Sequence, residues 1–263
     1  MINPVILFRS DSDTKEELSV AQRYFNVHDT RASIPSDSLI IPRYSALPYY
    51  KELEKDVIIL KSQLINSYRQ FQWIANFEYY ELLQNYTFKT YFRPQDLPDN
   101  KQFVVKGKTN SRKHQWNTQC FAESKKKAID IYCDLKNDSL IGTQDIIFRE
   151  YVPLKTFEIL LNGLPCTNEF RFFFYKDIQL CNGYYWSSAE YPEKAQLDDK
   201  AIELVEEVAS IVKEFNNFFV IDIAQKEDGD WIMVELNSGE MSGLSLCNPH
   251  TLYINLKRSI ASV

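Results

Sequence analysis

Two strongly apolar segments near the end of the chain are joined by a short charged connection, which limits how they can fold. Phe219–Ala224 and Trp231–Leu236 flank the sequence Lys226-Glu-Asp-Gly-Asp. Asp-Gly is a preferred two-residue hairpin turn, because both of its central residues must tolerate positive φ. A turn at Asp228-Gly229 therefore predicts that the two segments form an antiparallel pair of strands.

The register of this hairpin brings two acids together. Counting outward from the turn, Asp222 lies opposite Glu235 and Val220 lies opposite Asn237, and strand alternation places Met233 on the face of Glu235. Facing carboxylates repel each other, and burying an unpaired charge is costly. Magnesium would remove both penalties, since it takes one or two carboxylates together with nucleotide phosphates. The pattern predicts Asp222, Glu235 and Asn237 as metal ligands; the alternatives are a solvated sheet face with surface acids and a register slip that separates the pair.

Composition excludes several other classes of protein. The 263 residues include only seven glycines, and neither glycine-rich nucleotide motif occurs. A net charge of −6 does not favour attachment to nucleic acid or to an acidic membrane, and there is no run of about 18 apolar residues to cross one. The five cysteines are widely spaced without a C-x-x-C pair, which predicts neither a zinc site nor a disulfide framework. A location in the reducing cytoplasm fits best.

The first hundred residues mix strand and helix patterns, which predicts an α/β unit. The predicted elements are the strands Val5–Phe8 and Leu39–Ile41 and the helices Thr14–Tyr24, Tyr50–Phe71 and Ala75–Asn85. Phe92–Lys101 contains two prolines and two aspartates and is the predicted boundary. The division is therefore placed between units 1–98 and 99–263.

Strand patterns dominate after the boundary and predict an α+β domain rich in antiparallel strands. Before the hairpin, the predicted strands are Phe103–Lys108, Ile146–Val152, Glu169–Tyr175 and Ile178–Trp186. The predicted helices are Glu123–Leu135, one capped by Asp198 or Asp199, and one from Pro249 to Ser259.

A lysine interrupts the apolar strand Phe103–Lys108. Alternation places Lys106 on one face together with Val104 and Lys108, where a lysine facing a cleft would contact phosphate as a point charge. The loop that follows contains Ser111-Arg-Lys-His114 and could cover a polyphosphate. An exposed edge strand protected by lysines, followed by a solvated loop, is the alternative.

Two further segments carry arginines. In Asn168–Tyr175 the side chains of Glu169, Arg171 and Phe173 point to one face, and those of Phe170, Phe172 and Phe174 point to the core. Arg171 could bind a phosphate through both guanidinium arms, or it could form a salt bridge to Glu169 or a neighbouring strand. The tetrapeptide Arg149-Glu-Tyr-Val152 ends a strand at Pro153, where backbone groups become available to a base.

In this order the segments resemble the ATP-grasp superfamily. The resemblance covers about residues 103–245 and is carried by Lys106, Arg149-Glu-Tyr-Val152, Glu169-Phe-Arg171, Asp222 and Glu235-x-Asn237. The nearest likeness is to the divergent clade called after two arginines and one lysine, which includes phage and bacterial proteins and the eukaryotic factor that assembles translation initiation factor two. The first hundred residues correspond to a pre-ATP-grasp unit.

The resemblance implies a nucleotide held between two sheet-containing lobes, a lysine lobe at about 99–150 and a metal lobe at about 151–263. ATP and Mg²⁺ are the implied cofactors, with Lys106 and Arg171 on the phosphates and Asp222, Glu235 and Asn237 on the metal. The implied nucleotide-binding residues are Lys106, Lys108, Arg149, Glu150, Tyr151, Val152, Glu169, Arg171 and Met233.

The implied reaction is a ligation in which a carboxylate attacks the γ-phosphate of ATP and an amine then displaces phosphate. Such chemistry depends on positioning and charge neutralisation, which suits a sequence without a nucleophilic dyad. A protein or peptide is the expected substrate. Two alternatives are an ATP-binding assembly chaperone for a protein complex and an RNA- or tRNA-modifying ligase; the acidic charge of the chain disfavours nucleic acid.

Overall fold

The computed structural model describes residues 3–190 and 192–262. The N-terminal unit contains a parallel sheet with the strand order β2-β1-β3-β4. Its strands are β1 (Asn3–Phe8), β2 (Asn26–His28), β3 (Ser38–Arg43) and β4 (Gln63–Leu64), connected by the helices α1 (Lys15–Tyr24) and α2 (Tyr50–Ile59). Parallel strands need such crossovers, and both faces of the sheet are consequently covered. The predicted α/β unit is confirmed.

The single long helix predicted for Tyr50–Phe71 is wrong. Helix α2 ends at Ile59, and Lys61 adopts a left-handed conformation with φ of 54° that cannot continue it. The chain then forms β4 and begins α3 (Tyr68–Ala75), where Ser67 and Gln70 make a capping box. The apolar spacing continues across the break because Leu64, in the edge strand β4, is buried. Only Tyr80–Leu83 (α4) is α-helical in the part of the predicted Ala75–Asn85 helix that follows α3.

A second, antiparallel sheet, termed the central sheet, has the order β5-β8-β6-β7. Its strands are β5 (Thr90–Tyr91), β6 (Phe103–Gly107), β7 (Phe121–Ala122) and β8 (Ile146–Glu150), and α5 (Lys125–Lys136) covers one face. Phe103 and Val105 pack on that face against Ile131. The division at residue 98 stays a prediction, but the pairing of β5 with β8 places Thr90–Tyr91 with the central sheet.

The third sheet, termed the large sheet, is antiparallel with the order β12-β11-β13-β14. Its strands are β11 (Glu169–Tyr175), β12 (Ile178–Tyr184), β13 (Phe218–Gln225) and β14 (Trp231–Ser238); a separate hairpin of β9 (Thr156–Ile159) and β10 (Pro165–Thr167) precedes them. Helix α6 (Asp199–Val212), capped by Asp198, packs on one face, and α7 (Pro249–Ala261) shares the other face with the N-terminal sheet. The predicted α+β architecture with antiparallel sheets is confirmed.

The hairpin of β13 and β14 pairs Asp222 with Glu235, as predicted, but by a different route. The turn has three residues, because Lys226 N–H donates to Asp230 C=O at 2.7 Å, and Gly229 has φ of 91°. Farther along the hairpin, Ile223 pairs with Met233 while Asp222 pairs with Glu235, so β14 carries one extra residue, a β-bulge at Val234. The longer turn and the bulge each shift the register by one residue, and the two shifts cancel.

Across residues 3–190 and 192–262, none of the helices combines the length and the apolar character that crossing a membrane requires.

Candidate active site

A cavity of about 310 Å³ lies between the central sheet and the large sheet. Val104, Lys106 and Arg149 line it from the central sheet, and Glu169, Val234 and Glu235 from the large sheet. The charged side chains that line it are balanced, with Lys106, Lys113 and Arg149 against Glu150, Glu169 and Glu235. Its volume is at the lower end of the range for small-molecule sites.

Lys106 and Glu235 join the two sheets across this cavity. The Lys106 ammonium donates to a carboxylate oxygen of Glu235, and the lysine side chain is only 10% exposed. Burial alone would raise the pKa of Glu235, but Lys106, with help from Asn237 and Arg149, lowers it to about 2. Strand alternation explains the position of the lysine, since Phe103 and Val105 point to the core and Val104 and Lys106 to the cavity.

Asp222 lies next to Glu235 and is almost completely buried. Arg171, on the neighbouring strand, donates from Nε and Nη2 to the two oxygens of Asp222, at 2.8 Å each. Asn237 bridges the acids, because its amide nitrogen lies 3.2 Å from both Asp222 Oδ2 and Glu235 Oε2. Each carboxylate of the facing pair is thus neutralised by its own cation, which is how the ligand-free fold tolerates them.

Arg149 is a buried arginine without a carboxylate partner within hydrogen-bonding distance in the described chain. Its guanidinium donates to Val234 C=O and to Thr87 Oγ1 and lies 4.7 Å from the centre of the Phe88 ring. Its Nε has no hydrogen-bond partner among residues 3–190 and 192–262. Burial lowers the pKa of Arg149, opposed by the charge of Glu235. An incompletely satisfied buried cation beside the cavity favours an anionic ligand.

Lys113 connects the loop between β6 and β7 to the residues that follow β12 of the large sheet. Its ammonium donates to the Tyr185 hydroxyl at 2.6 Å and lies 4.5 Å and 5.2 Å from the ring centres of Tyr185 and Trp186. On its other side, the Tyr185 ring faces the guanidinium of Arg171 at 4.9 Å. Cation–π contacts of this kind hold Lys113 at the cavity without an ion pair in the described chain.

Glu169 is a buried acid on the cavity wall. Burial raises its pKa, and the charge of Asp222 raises it further, to about 7, although Lys113 opposes the shift. The Thr167 hydroxyl donates to Glu169 Oε2 at 3.1 Å. Glu169 therefore titrates near neutrality, whereas Glu235 on the same cavity is ionised far below it.

A family model for ATP-grasp domains, family 3 of the clade called after two arginines and one lysine, matches residues 96–256, more than half of the chain. The chain belongs to this ATP-grasp family. No curated protein matches its sequence.

Solved structures show the same fold at low sequence identity. D-cycloserine synthetase DcsG has a TM-score of 0.63 and 12% identity, with 98% of this chain and 99% of that chain covered. The ATP-grasp ligase PsnB, in complex with a phosphomimetic variant of its minimal precursor, Mg and ADP, has a TM-score of 0.60 and 13% identity, with 99% of each chain covered. A RimK domain protein of Sphaerobacter thermophilus has a TM-score of 0.59 and 10% identity, covering 96% and 98%. At these identities the comparisons establish the ATP-grasp fold.

Most residues predicted for the nucleotide site lie at the ATP-grasp cavity or directly behind it. The lining includes Lys106, Arg149, Glu150, Tyr151, Val152, Glu169 and Glu235. Asp222, Asn237 and Arg171 lie behind Glu235 in one hydrogen-bonded group. Their roles toward a nucleotide or a metal stay predictions, but their proximity is a property of the fold. Arg171 makes the cross-strand salt bridge that the sequence left as its alternative role.

Two predicted nucleotide contacts do not face the cavity. Lys108 follows the end of β6 and pairs with the exposed Asp145 at 2.8 Å, because the strand alternation does not extend beyond Gly107. Met233 lies in the core on the opposite face of the large sheet, since the bulge breaks the alternation that would have aligned it with Glu235. Val234 occupies the cavity wall instead.

Glu150 borders the cavity, but its carboxylate is engaged elsewhere. Tyr91 Oη donates to Glu150 Oε1 at 2.6 Å, and Lys101 pairs with Oε2 at 3.1 Å. Its predicted contact with a base would therefore require an exchange of these partners.

The sequence interpretation misses two aromatic residues. It predicts that Tyr184-Tyr-Trp186 packs within a strand, but β12 ends at Tyr184, and Tyr185 and Trp186 line the cavity. Tyr184 and Trp186 belong to the core as expected, and Tyr185 packs against it, but Tyr185 and Trp186 also border the cavity. A run of three aromatics carries no signal for where the strand ends.

The donor set suits magnesium. Described residues include no cluster of three or more His, Cys, Asp or Glu side chains that could hold a metal, so an ion here would take two carboxylates, one amide oxygen and ligand oxygens. Magnesium prefers such a partial set completed by phosphates and water. Asn237 presents its amide nitrogen to both acids, so this amide would have to rotate for its oxygen to bind a metal ion.

Proposed function

We propose that this ATP-grasp protein is an ATP- and magnesium-dependent ligase that activates a carboxylate as an acylphosphate and joins it to an amine. One observation carries the proposal. Asp222 and Glu235 face each other at the cavity, and two cations from other strands, Arg171 and Lys106, hold their charges in balance. When a polyphosphate and a divalent ion enter together, the two cations can pair with the phosphates and the two carboxylates can pair with the metal ion.

The cavity offers both kinds of surface that a nucleotide requires. Leu154, Leu164 and Trp186 supply apolar contact area for a base, while Lys106 and Arg149 supply positive charge for phosphates. Arginine and lysine serve differently here, since the guanidinium plane can bind two phosphate oxygens and the ammonium acts as a point charge. A bound magnesium ion, held by Asp222, Glu235 and Asn237, would neutralise further phosphate charge.

The proposed reaction needs no nucleophile from the protein. An oxygen of the substrate carboxylate attacks the γ-phosphorus, the bond to the β–γ bridging oxygen breaks, and ADP leaves. The amine nitrogen then attacks the acyl carbon, loses a proton, and phosphate leaves. The protein contributes orientation and charge stabilisation, which are the main catalytic terms in phosphoryl transfer.

A protein or peptide is the proposed substrate. PsnB, which shares the fold, has been solved with a precursor peptide. The RNA-ligase alternative gains no support from the basic loop Ser111-Arg-Lys-His114, because Arg112 Nε donates to Asp138 Oδ2 at 2.8 Å and Lys113 is held by Tyr185 and Trp186. These basic groups are not displayed to a nucleic acid.

The proposal is tested by calorimetric titration with AMPPNP in the presence of magnesium and, separately, of EDTA. AMPPNP is not turned over, so binding is measured apart from reaction. We expect magnesium to strengthen binding at least about tenfold, a difference of about 1.4 kcal/mol. In Glu235→Gln this ratio should fall toward one, because the metal loses a charged ligand while Lys106 becomes free for phosphate.

Glu227→Gln is the matched control, since Glu227 is an exposed acid on the same hairpin. It should keep the wild-type ratio. A ratio that is unchanged in Glu235→Gln would overturn the metal site. Tight magnesium-dependent binding without ADP release in the presence of candidate peptides and amines would favour the assembly-chaperone alternative instead.

A further inference from the structure

The N-terminal parallel sheet has a topological switch point between β1 and β3. The chain leaves β1 to form β2 on one side and then returns to form β3 on the other. In open α/β sheets, ligands bind outside the carboxyl ends of the strands at such a point. Here those ends are Phe8 and Arg43, and the residues just beyond them are Arg9 and Tyr44.

Arg9 and Tyr44 form a stacked pair at this edge. The guanidinium carbon of Arg9 lies 4.6 Å from the centre of the Tyr44 ring, and Arg9 is exposed. Stacking fixes the guanidinium plane and leaves its N–H groups available, an arrangement suited to a carboxylate. No carboxylate in the described chain lies within ion-pair distance of Arg9. The nearby Asp11 turns toward its own loop and accepts from Thr14 Oγ1 at 2.9 Å.

A set of hydrogen bonds connects the end of β3, at Arg43, to the acid pair of the active site. Arg43, beside Tyr44, donates to Gly239 C=O and to Ser242 C=O, the latter at 2.9 Å. In the same loop, Gly243 C=O accepts from Arg171 Nη1 at 2.6 Å, and Arg171 binds Asp222. The loop 239–243 thus reaches from the switch point to the site proposed for phosphoryl transfer.

The same loop leaves room for a ligand. A Cβ placed on Gly243 would meet no atom within 4 Å, so the backbone there borders open space. The space beside Gly243 is therefore open to a ligand, on the same loop that accepts hydrogen bonds from Arg43 and Arg171.

We propose that Arg9, oriented by Tyr44, binds a free carboxylate that the substrate carries in addition to its reacting group. The inference rests on the proposed ligase function and names its substrate class. Two sources have this chemistry, a free amino acid and the C-terminal residue of a peptide. In both, the carboxylate lies a few bonds from an amine or a side-chain carboxylate that could take part in the ligation.

The test measures binding to the full-length protein saturated with Mg-AMPPNP, by saturation-transfer NMR and calorimetry. The probes are the twenty amino acids, a set of their amides, Ala-Ala-Ala, and the same tripeptide with a C-terminal amide. We expect at least one acid to bind and its amide to bind at least tenfold more weakly. In Arg9→Met the affinity of that acid should fall at least tenfold, whereas Arg9→Lys should retain part of it.

Arg23→Met is the matched control. Arg23 is an exposed arginine in the last turn of α1, at the opposite edge of the sheet from Arg9, so its replacement removes the same charge without touching the switch point. It should bind the acid like the wild type. Mg-AMPPNP affinity, measured for every variant, should be unchanged because Arg9 does not line the cavity, and the thermal midpoint should change little because Arg9 is exposed and, among the described residues, stacks only on the partly buried Tyr44 ring.

The outcomes separate the two proposals. Binding of an amino acid, or of the tripeptide acid alone, supports the inference and identifies the source of the carboxylate. Equal binding of acids and amides, equal binding by Arg9→Met, or no bound acid among the probes overturns it while leaving the ligase proposal standing. Absence of Mg-AMPPNP binding in the wild type overturns both.

Discussion

Lys106 and Glu235 form an ion pair between strands of two different sheets. The pair crosses the cavity. Lys106 and Glu235 therefore take up space that a polyphosphate and its cation would fill, and each neutralises a charge with which those ligands would pair. Breaking the pair costs free energy, and new ionic contacts must offset that cost. Nucleotide binding in the proposed function therefore has to replace an ion pair that links the two sheets.

The two lysines at the end of β6 provide a direct comparison. Lys106→Met should weaken AMPPNP binding on the order of tenfold to a hundredfold, because a charge-assisted contact to phosphate is lost. Lys108→Met should change it by less than about twofold, since Lys108 pairs with exposed Asp145 outside the cavity. Calorimetry with Mg-AMPPNP on both variants checks this. Equal losses in the two variants would contradict the assignment of Lys106 to the phosphates.

The salt bridge of Arg171 and Asp222 should dominate the stability of the large sheet. Arg171→Met leaves an almost fully buried carboxylate unpaired, which typically costs about 3–5 kcal/mol. The double variant Arg171→Met/Asp222→Asn should recover part of this loss, because no charge then remains without a partner. Urea unfolding of wild type, single and double variants gives the coupling free energy.

Arg69→Met is a suitable control for this experiment. Arg69 makes an equally well-aligned pair with Glu78, with contacts of 2.8 Å and 2.7 Å, but its side chain is 70% exposed. Exposed pairs contribute little to stability, so this variant should unfold nearly like the wild type. If Arg171→Met were no less stable than Arg69→Met, the buried salt bridge would contribute no more to the free energy of unfolding than the exposed one.

The stability of the ligand-free protein should depend on pH through Glu169. Its folded-state pKa is raised to about 7 from an ordinary value of 4.5, so the folded state holds the proton more tightly than the unfolded state. Stability from this group is therefore complete below pH 4.5 and is lost as the pH rises through 7. A shift of this size corresponds to a loss on the order of 3 kcal/mol.

Glu169→Gln should remove this part of the pH dependence. The variant should be more stable than the wild type at about pH 8 and closer to it at about pH 5, as measured by urea unfolding without nucleotide. The same decline with pH in both proteins would show that Glu169 is not the group responsible.

The sequence predicts the strands that carry the site better than it predicts how the chain turns. Glu169–Tyr175 has the same bounds in the prediction and in the structure, since an apolar strand buries its phenylalanines on both faces of the sheet. The facing of Asp222 and Glu235 is also correct, although the turn and the bulge both differ from the prediction. Local turn chemistry identifies a hairpin, but the bulge depends on packing that involves Thr87 and Tyr86, about 150 residues away in sequence.

Side-chain partners are harder to predict than strand faces. Alternation places Lys106 on the cavity side, but nothing in the sequence specifies that a carboxylate from another sheet reaches it. The same holds for Lys113, whose neighbours Tyr185 and Trp186 come from a segment 72 residues away. Contacts between sheets depend on how the sheets pack, which a periodic pattern within one strand does not contain.

The balance of charges around the cavity has a kinetic consequence. With Lys106, Lys113 and Arg149 offset by Glu150, Glu169 and Glu235, and a net charge of −6 on the chain, no long-range positive field draws a nucleotide inward. Encounter is then not accelerated by electrostatic steering, and because the chain and the nucleotide are both negatively charged, the association rate should not fall as ionic strength rises. Once a ligand has entered and the internal ion pairs have opened, ligands should differ mainly in their dissociation rates.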